Sequence, residues 1–488
     1  MQSQASRLNE DVWSIILSLV QLDDARSLSL TSRAIHPIAR CIVLSHVETS
    51  RSGHLAKICA FMSGDPRSRA SWLRELHIHY EALARALALP KLLFEQLAGL
   101  LAETRNLRVL VLPLVDRLLE VEPRIGDALV SLEGLQIVTL THVESRTLDV
   151  ASRMQSRPRT VTLAFGFDTS VVKNLVALSH LALFRSAHTL HLKGYKPQMS
   201  EILGQDPFIQ LVLGQLGQLP TVREVHLSDC EACPLFYVFP NLQRLEMLGI
   251  CQPLEFSLRN WMWPASVPLA DVAISFEDLI HFTRAPIRRL LLHRTHDSSN
   301  PIVGRLADAL QFARPVCLSF DFSYKDHPHS PSNLRWIDFF RMILRPSVGR
   351  LRCLELTFDC RQPEDDQSLW MDWLLPAVTQ SSLLCMRLNF KVGKTPEPSS
   401  WQRSMQNTAR RVAENVPLAQ FICTGIKPGW PRANVRETCT WWRVRGENAS
   451  QRCVESMSNE AGEQVERYMR SAAFEQKLSL DGFVFTGA

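Results

Sequence analysis

The chain has 488 residues, a formal net charge of +5 and 46% hydrophobic residues, the composition of an ordinary globular protein. Its 54 lysines and arginines are scattered, with no run of five or six, which argues against both a nucleic-acid footprint and a polybasic membrane patch. No apolar run approaches the roughly 18 residues of a membrane span, and Glu10 and Asp11 stand where a secretory leader would be basic and then apolar.

The first element is Leu8 to Ala39. Val12, Ile15, Ile16 and Leu19 recur at i, i+3, i+4 and i+7, one face of a helix. Asp23 or Asp24 would cap a second helix carrying Ala25 and Leu28, and Pro37 would bound a third short segment around Ser32 to His36. A stretch this short does not bury enough surface to fold alone, so it needs either the rest of the chain or a partner.

From about residue 51 to 425 one unit returns: an apolar helical run, a break, then L-x-x-L-x-L. Lys91 to Pro113 is the clearest copy. Leu92, Leu93, Leu97, Leu100 and Leu101 share a helical face, and Leu107, Leu110 and Leu112 then switch to strand spacing. The triplet recurs at Leu73/Leu76/Ile78, Leu135/Val138/Leu140, Val222/Val225/Leu227, Leu242/Leu245/Met247 and Leu269/Val272/Ile274. It continues at Ile287/Leu290/Leu292, Leu351/Leu354/Leu356 and Leu383/Met386/Leu388, with weaker copies ending at Leu418/Phe421/Cys423. The mean spacing of about 28 residues falls in the leucine-rich-repeat range of roughly 20–29. The intervals are irregular and the turn-closing Asn or Cys is nearly absent, so several βαβ units without a true repeat remain open. Either way the middle is predicted to be a parallel sheet flanked by helices. His77, His79, Tyr80, Asp321, Phe322 and Tyr324 are candidates for an extended strand-edge surface suited to another macromolecule.

Several fragments imitate chemistry and fail. Gly393-Lys394-Thr395 lacks the glycine of a phosphate loop at position 388, and Pro396 and Pro398 are expected to block the following helix. Cys230 and Cys233 form a lone CxxC, and Asp326, His327 and His329 lie in a polar loop. Zinc spacing, a G-x-S-x-G elbow and an H-E-x-x-H helix are missing from the sequence. The expectation is a non-enzyme with no catalytic residue, cofactor or metal. Twelve cysteines, mostly in apolar settings, point to reduced thiols of a cytoplasmic or nuclear protein.

Residues 6 to 47 resemble the F-box, the segment that attaches substrate receptors to the Skp adaptor of cullin-type ubiquitin ligases. Leu8-Asn9 matches the opening Leu-Pro with Asn9 for Pro, Glu10-Asp11 the acidic pair, and Ile16-Leu17 the Ile–aliphatic pair. Leu28 to Arg33 resembles the later Leu-x-x-[Val/Thr]-[Cys/Ser]-[Arg/Lys], and Ile35 stands where Trp is common. The continuation CIVLSHVETS looks like the first strand of fungal F-box proteins with degenerate leucine-rich repeats. Thr440 to Gly446 and Ser458 to Glu475, with Glu463 and Arg467 at i, i+4, look like their closing strand and helix.

The resemblance implies an α/β chain in three parts: an F-box-like segment over residues 1–47, a right-handed leucine-rich-repeat-like solenoid over 48–425, and a C-terminal capping strand and helix over 426–488. It implies substrate recognition for an SCF ligase, with a Skp adaptor and cullin complex as partners beside an unknown protein target. Leu8, Val12, Ile16, Val20 and Leu28 would form the adaptor contact set. The other reading is a non-catalytic scaffold whose N-terminal helices only cap the repeats.

Overall fold

The computed structural model describes residues 10–31, 33, 35–65, 69–87, 91–166, 178–195, 217–230, 238–248, 268–275, 286–293, 309–311, 313–322, 341, 344, 350–360, 363–392, 397–428, 437–446, 451–481 and 483. Two compact units divide the chain: Met1–Leu242 with Gln252–Ser257, and Gln243–Cys251 with Leu258–Ala488.

The first unit opens with helices α1 (Glu10–Leu19), α2 (Leu22–Thr31) and α3 (His36–Ser45). Pro37 begins α3 rather than ending a segment; at N1 or N2 proline loses only an N–H that has no helical partner anyway. Asp23 and Asp24 lie inside the first turn of α2, at the positive end of its dipole, and Asp23 pairs with Arg26 at 2.9 Å. Helix α3 runs directly into β1 (His46–Thr49), so Cys41 to Ser45 is helical where a strand was expected.

Strands β1, β2 (Glu75–Ile78), β3 (Val109–Leu112), β4 (Ile137–Val143), β5 (Thr160–Phe165), β6 (Thr189–Lys193) and β7 (Glu224–Ser228) pair in sequence order, all parallel. Between them run α4 (Ser52–Ser63), α5 (Tyr80–Ala86), α6 (Leu92–Glu103), α7 (Val115–Val121), α8 (Arg124–Ser131) and α9 (Ser145–Arg153). Leu76, Leu110, Val138, Val161, Leu190 and Val225 stand opposite one another across the ladder, all fully buried on the helix side. Leu92 alone of the predicted α6 face points outward.

One backbone device recurs at each step from β2 to β7. Two successive N–H groups at the start of a strand donate to a single carbonyl of the preceding one: Arg108 and Val109 to Arg74, then Gln136 and Ile137 to Arg108. Arg159 and Thr160 donate to Gln136, His188 and Thr189 to Arg159, and Arg223 and Glu224 to His188. Each acceptor directly follows the first apolar position of the triplet, so a sequence position and a hydrogen-bond position repeat together.

The second unit repeats the arrangement with β8 (Arg244–Leu248), β9 (Leu269–Ser275), β10 (Ile287–His293), β11 (Cys317–Phe322), β12 (Cys353–Cys360), β13 (Cys385–Val392) and β14 (Phe421–Pro428), parallel throughout. Helices α10 (Pro363–Val378) and α11 (Pro398–Asn415) cover its apolar face. Phe322, Phe358 and Phe390 stack across three strands at 5.5 and 5.8 Å, with Trp370 at 4.6 Å from Phe358. Phe322, expected near the surface, is therefore core. Pro398 starts α11 instead of blocking it.

Two antiparallel strands, β15 (Thr438–Arg445) and the unforeseen β16 (Cys453–Met457), close the sheet. The expected closing helix is two, α12 (Asn459–Met469) and α13 (Ala472–Lys477), because Ser471 caps a new helix start by accepting the Phe474 N–H. The i, i+4 pair that forms on α12 joins Glu466 to Arg470, one turn from the predicted Glu463 and Arg467.

Candidate interaction site

The N-terminal helices have a core of their own. Leu17, Ala25, Ile35 and Ala39 are buried together, with Trp13, Val20, Leu28, Ile38, Ile42 and Val43 packed around them. At about 100° per residue, Val12, Ile15 and Leu19 fall on the side of α1 opposite Leu17. They are exposed, Ile15 by 62% and Leu19 by 81%, and Leu30 on α2 is exposed by 86%. A helix apolar on both sides is normally buried on both, whereas the outer apolar side of α1 is exposed.

Of the predicted contact set, Val12 is exposed, while Ile16, Val20 and Leu28 are half-buried, the last two against the segment's own core. Leu8 lies outside the described residues. The exposed aliphatic residues outside that set are Ile15, Leu19 and Leu30. The wheel position of Leu17 was the signal for the first two, since a core leucine at 17 turns 15 and 19 outward. The Arg74 N–H donates to Ser45 O at 2.8 Å, tying the end of α3 to the sheet. A groove of about 940 Å³, lined by Leu17, Val20, Ile38, Ile42, Trp72 and Asn106 among others, opens between the helices and the first strands.

A second surface is the polar face of the first unit's sheet. Glu48, His77, Val111, Thr139, Thr162, His191 and His226 form one row across β1 to β7, set by register. From His77 onward all are half-exposed, and they alternate with the buried leucine and valine positions. His191 and His226 stack at 4.1 Å, and His226 Nε2 lies 3.1 Å from Glu224. His79 is bonded to Glu48, and Tyr80 stacks on His142 at 5.5 Å.

In the second unit the corresponding face is covered over β11 to β14. Val465, Met469 and Phe474 of α12 and α13 pack on Cys317, Cys385, Cys423 and Trp441. Arg387 reaches Glu466 at 3.0 Å, and Glu475 takes Arg288 at 2.7 Å and Arg350 at 2.6 Å. Glu355, 13% exposed, lies beneath. Burial pushes its carboxyl up, but Arg387, Lys427, Arg289 and the Ser319 hydroxyl together outweigh burial and hold it below the usual range. Asp321 is held by Lys391 at 2.6 Å. From β11 to β14 the strand face is therefore closed by α12 and α13.

Cys230 is buried and its S–H donates to Leu192 O at 3.2 Å; burial pushes the thiol up to about 11. Cys233, Tyr324, Asp326, His327, His329 and Gly393 to Thr395 lie outside the described residues. Among the described residues no helix is long and apolar enough to cross a membrane. No protein-family model matches the chain, and no curated protein matches it.

Proposed function

We propose that this chain is the substrate-recognition subunit of an SCF-type ubiquitin ligase. Its N-terminal helices hold the Skp adaptor and thereby the cullin complex, and its strand face holds a protein target. The observation that carries the reading is the outward apolar side of α1, Val12, Ile15 and Leu19, on a helix whose inner side closes its own core through Leu17. A standard interface takes about 800 Å² from each partner and is dominated by a few buried anchors, the role assigned to these aliphatic side chains.

The sheet is read as a leucine-rich-repeat-like solenoid, right-handed as parallel crossovers almost always are. The double N–H device at Arg74, Arg108, Gln136, Arg159 and His188 supports a repeating unit rather than unrelated βαβ pieces. The open polar row from His77 to His226 is the surface assigned to the target. The chain itself makes and breaks no bonds; it raises the local concentration of target near the charged enzyme.

The test is direct titration of the full chain with purified Skp adaptor. Micromolar or tighter binding is expected, lost in Leu19→Asp with the circular dichroism spectrum unchanged. Wild-type protein that fails to bind at micromolar concentration overturns the ligase reading and leaves a scaffold whose helices cap the repeats.

A further inference from the structure

Strands β1 and β2 bring imidazoles and carboxylates to one spot on the polar face. His46 stands opposite Glu75 and Glu48 opposite His77, because the two parallel strands are in register from residue 46 against 75. His46 Nδ1 is 2.7 Å from Glu75 Oε2, and His77 Nε2 is 3.7 Å from the same oxygen. The two rings lie 5.2 Å apart. One ligand atom from each of His46, Glu75 and His77 lies within 4.8 Å of the others.

His77 Nε2 is covered by protein and has no hydrogen-bond partner. A covered imidazole nitrogen normally finds a partner, so a nitrogen left bare beside a carboxylate calls for one. We propose that His46, Glu75 and His77 bind a zinc-type divalent transition ion. Two imidazole nitrogens and one carboxylate oxygen are a known zinc donor set, with ligand distances of about 2.0–2.2 Å and a fourth position for water. Small side-chain rotations draw the three atoms onto one ion, which takes the place of the proton between His46 and Glu75.

The surroundings supply the second layer that such sites use. His46 Nε2 faces Glu48 Oε2 at 3.9 Å, and Glu48 is itself fixed by His79 Nε2 at 2.7 Å. A carboxylate on the far nitrogen orients a ligating imidazole and raises its basicity. His46 is also the first residue after α3, so the ion pins the junction between the N-terminal helices and the sheet's first strand pair. Motif spacing could not reveal this set, since register and not sequence proximity assembles it.

The experiment uses the full chain, stripped with chelator and titrated with zinc alone and with cobalt(II) alone in reducing buffer. Roughly one ion per chain is expected, with a cobalt spectrum lacking a sulfur-to-metal charge-transfer band, since no thiolate takes part. His46→Gln and His77→Gln should each weaken binding more than about 100-fold, and Glu48→Gln about 10–100-fold. Each variant should keep the wild-type melting temperature in chelator, which separates ligand loss from misfolding. A thiolate band in the wild-type spectrum, no binding at about 100 μM zinc, or wild-type affinity in both histidine variants would each overturn the site.

Discussion

The carboxylate of Asp116 on α7 accepts the backbone N–H of Thr147 on α9 at 3.2 Å, and the Thr147 hydroxyl bonds the same oxygen. It also accepts the Glu144 N–H at 2.5 Å and the Arg146 N–H at 3.1 Å. The residue at the cap position of α9, Glu144, makes no side-chain cap bond, so the helix is capped by its neighbour. Asp116→Ala orphans these donors, of which the two of Thr147 are buried, and should cost about 1–3 kcal/mol in urea unfolding. Asp116→Asn keeps an acceptor and should recover part of that loss.

Gly462 lets α12 lie on the face of Trp441: a Cβ there would sit 2.1 Å from the indole Cγ. Because backbone and ring are both held, Gly462→Val should lift α12 from the sheet rather than be absorbed locally. Hydrogen exchange should then rise across α12 and α13 and at Arg387, while the first unit's amides keep their protection.

Glu355 and Glu475 are both held below the ordinary carboxylate range. For Glu475 burial raises the carboxyl, but the Arg288 and Arg350 hydrogen bonds and charges outweigh it. A carboxyl lowered by folding is more protonated in the unfolded chain, so its contribution is full above the unfolded value near 4.5 and is lost as pH falls through the folded value. The melting temperature of the second unit should therefore be flat above about pH 5 and fall below it. The Glu475→Gln variant should melt lower at neutral pH and show a shallower acid slope.

The triplets of the first unit were legible because each of its strands buries one face only, and period 2 then reports directly on packing. The last triplet of the second unit was not. β14 pairs so that Ile422, not Phe421, stands opposite Met386, and Ala419, Ile422 and Thr424 are the positions in phase with the other triplets. Residues 421–426 are buried on both faces, under α11 on one side and α12 and α13 on the other, so apolar alternation carries no phase. Leu418, read as the first position, is 52% exposed. Ile422→Ala should thus cost about 2–5 kcal/mol and Leu418→Ala less than about 0.5. The His46–Glu75–His77 cluster was illegible for a different reason: strand pairing, which no single stretch encodes, creates it.

Leu17 and Leu19 separate the core of the N-terminal helices from the adaptor contact proposed for them. Leu17 is fully buried against Ala25, Ile35 and Ala39, whereas Leu19 is exposed on the opposite side of the same helix. Leu17→Ala removes a core side chain from a cluster with few others to compensate and should cost about 2–5 kcal/mol, melting the helical segment. Leu19→Asp removes nothing from that core and adds a solvated charge, so helicity and melting temperature should stay at wild-type values. For the proposed adaptor contact the order reverses in kind: Leu19→Asp would place a charge in it and should abolish binding outright, by a faster dissociation rate. Leu17→Ala should bind weakly in proportion to its unfolded fraction and recover on cooling. Equal binding by Leu19→Asp and wild type would place the contact elsewhere on the helices and remove the observation on which the ligase reading stands.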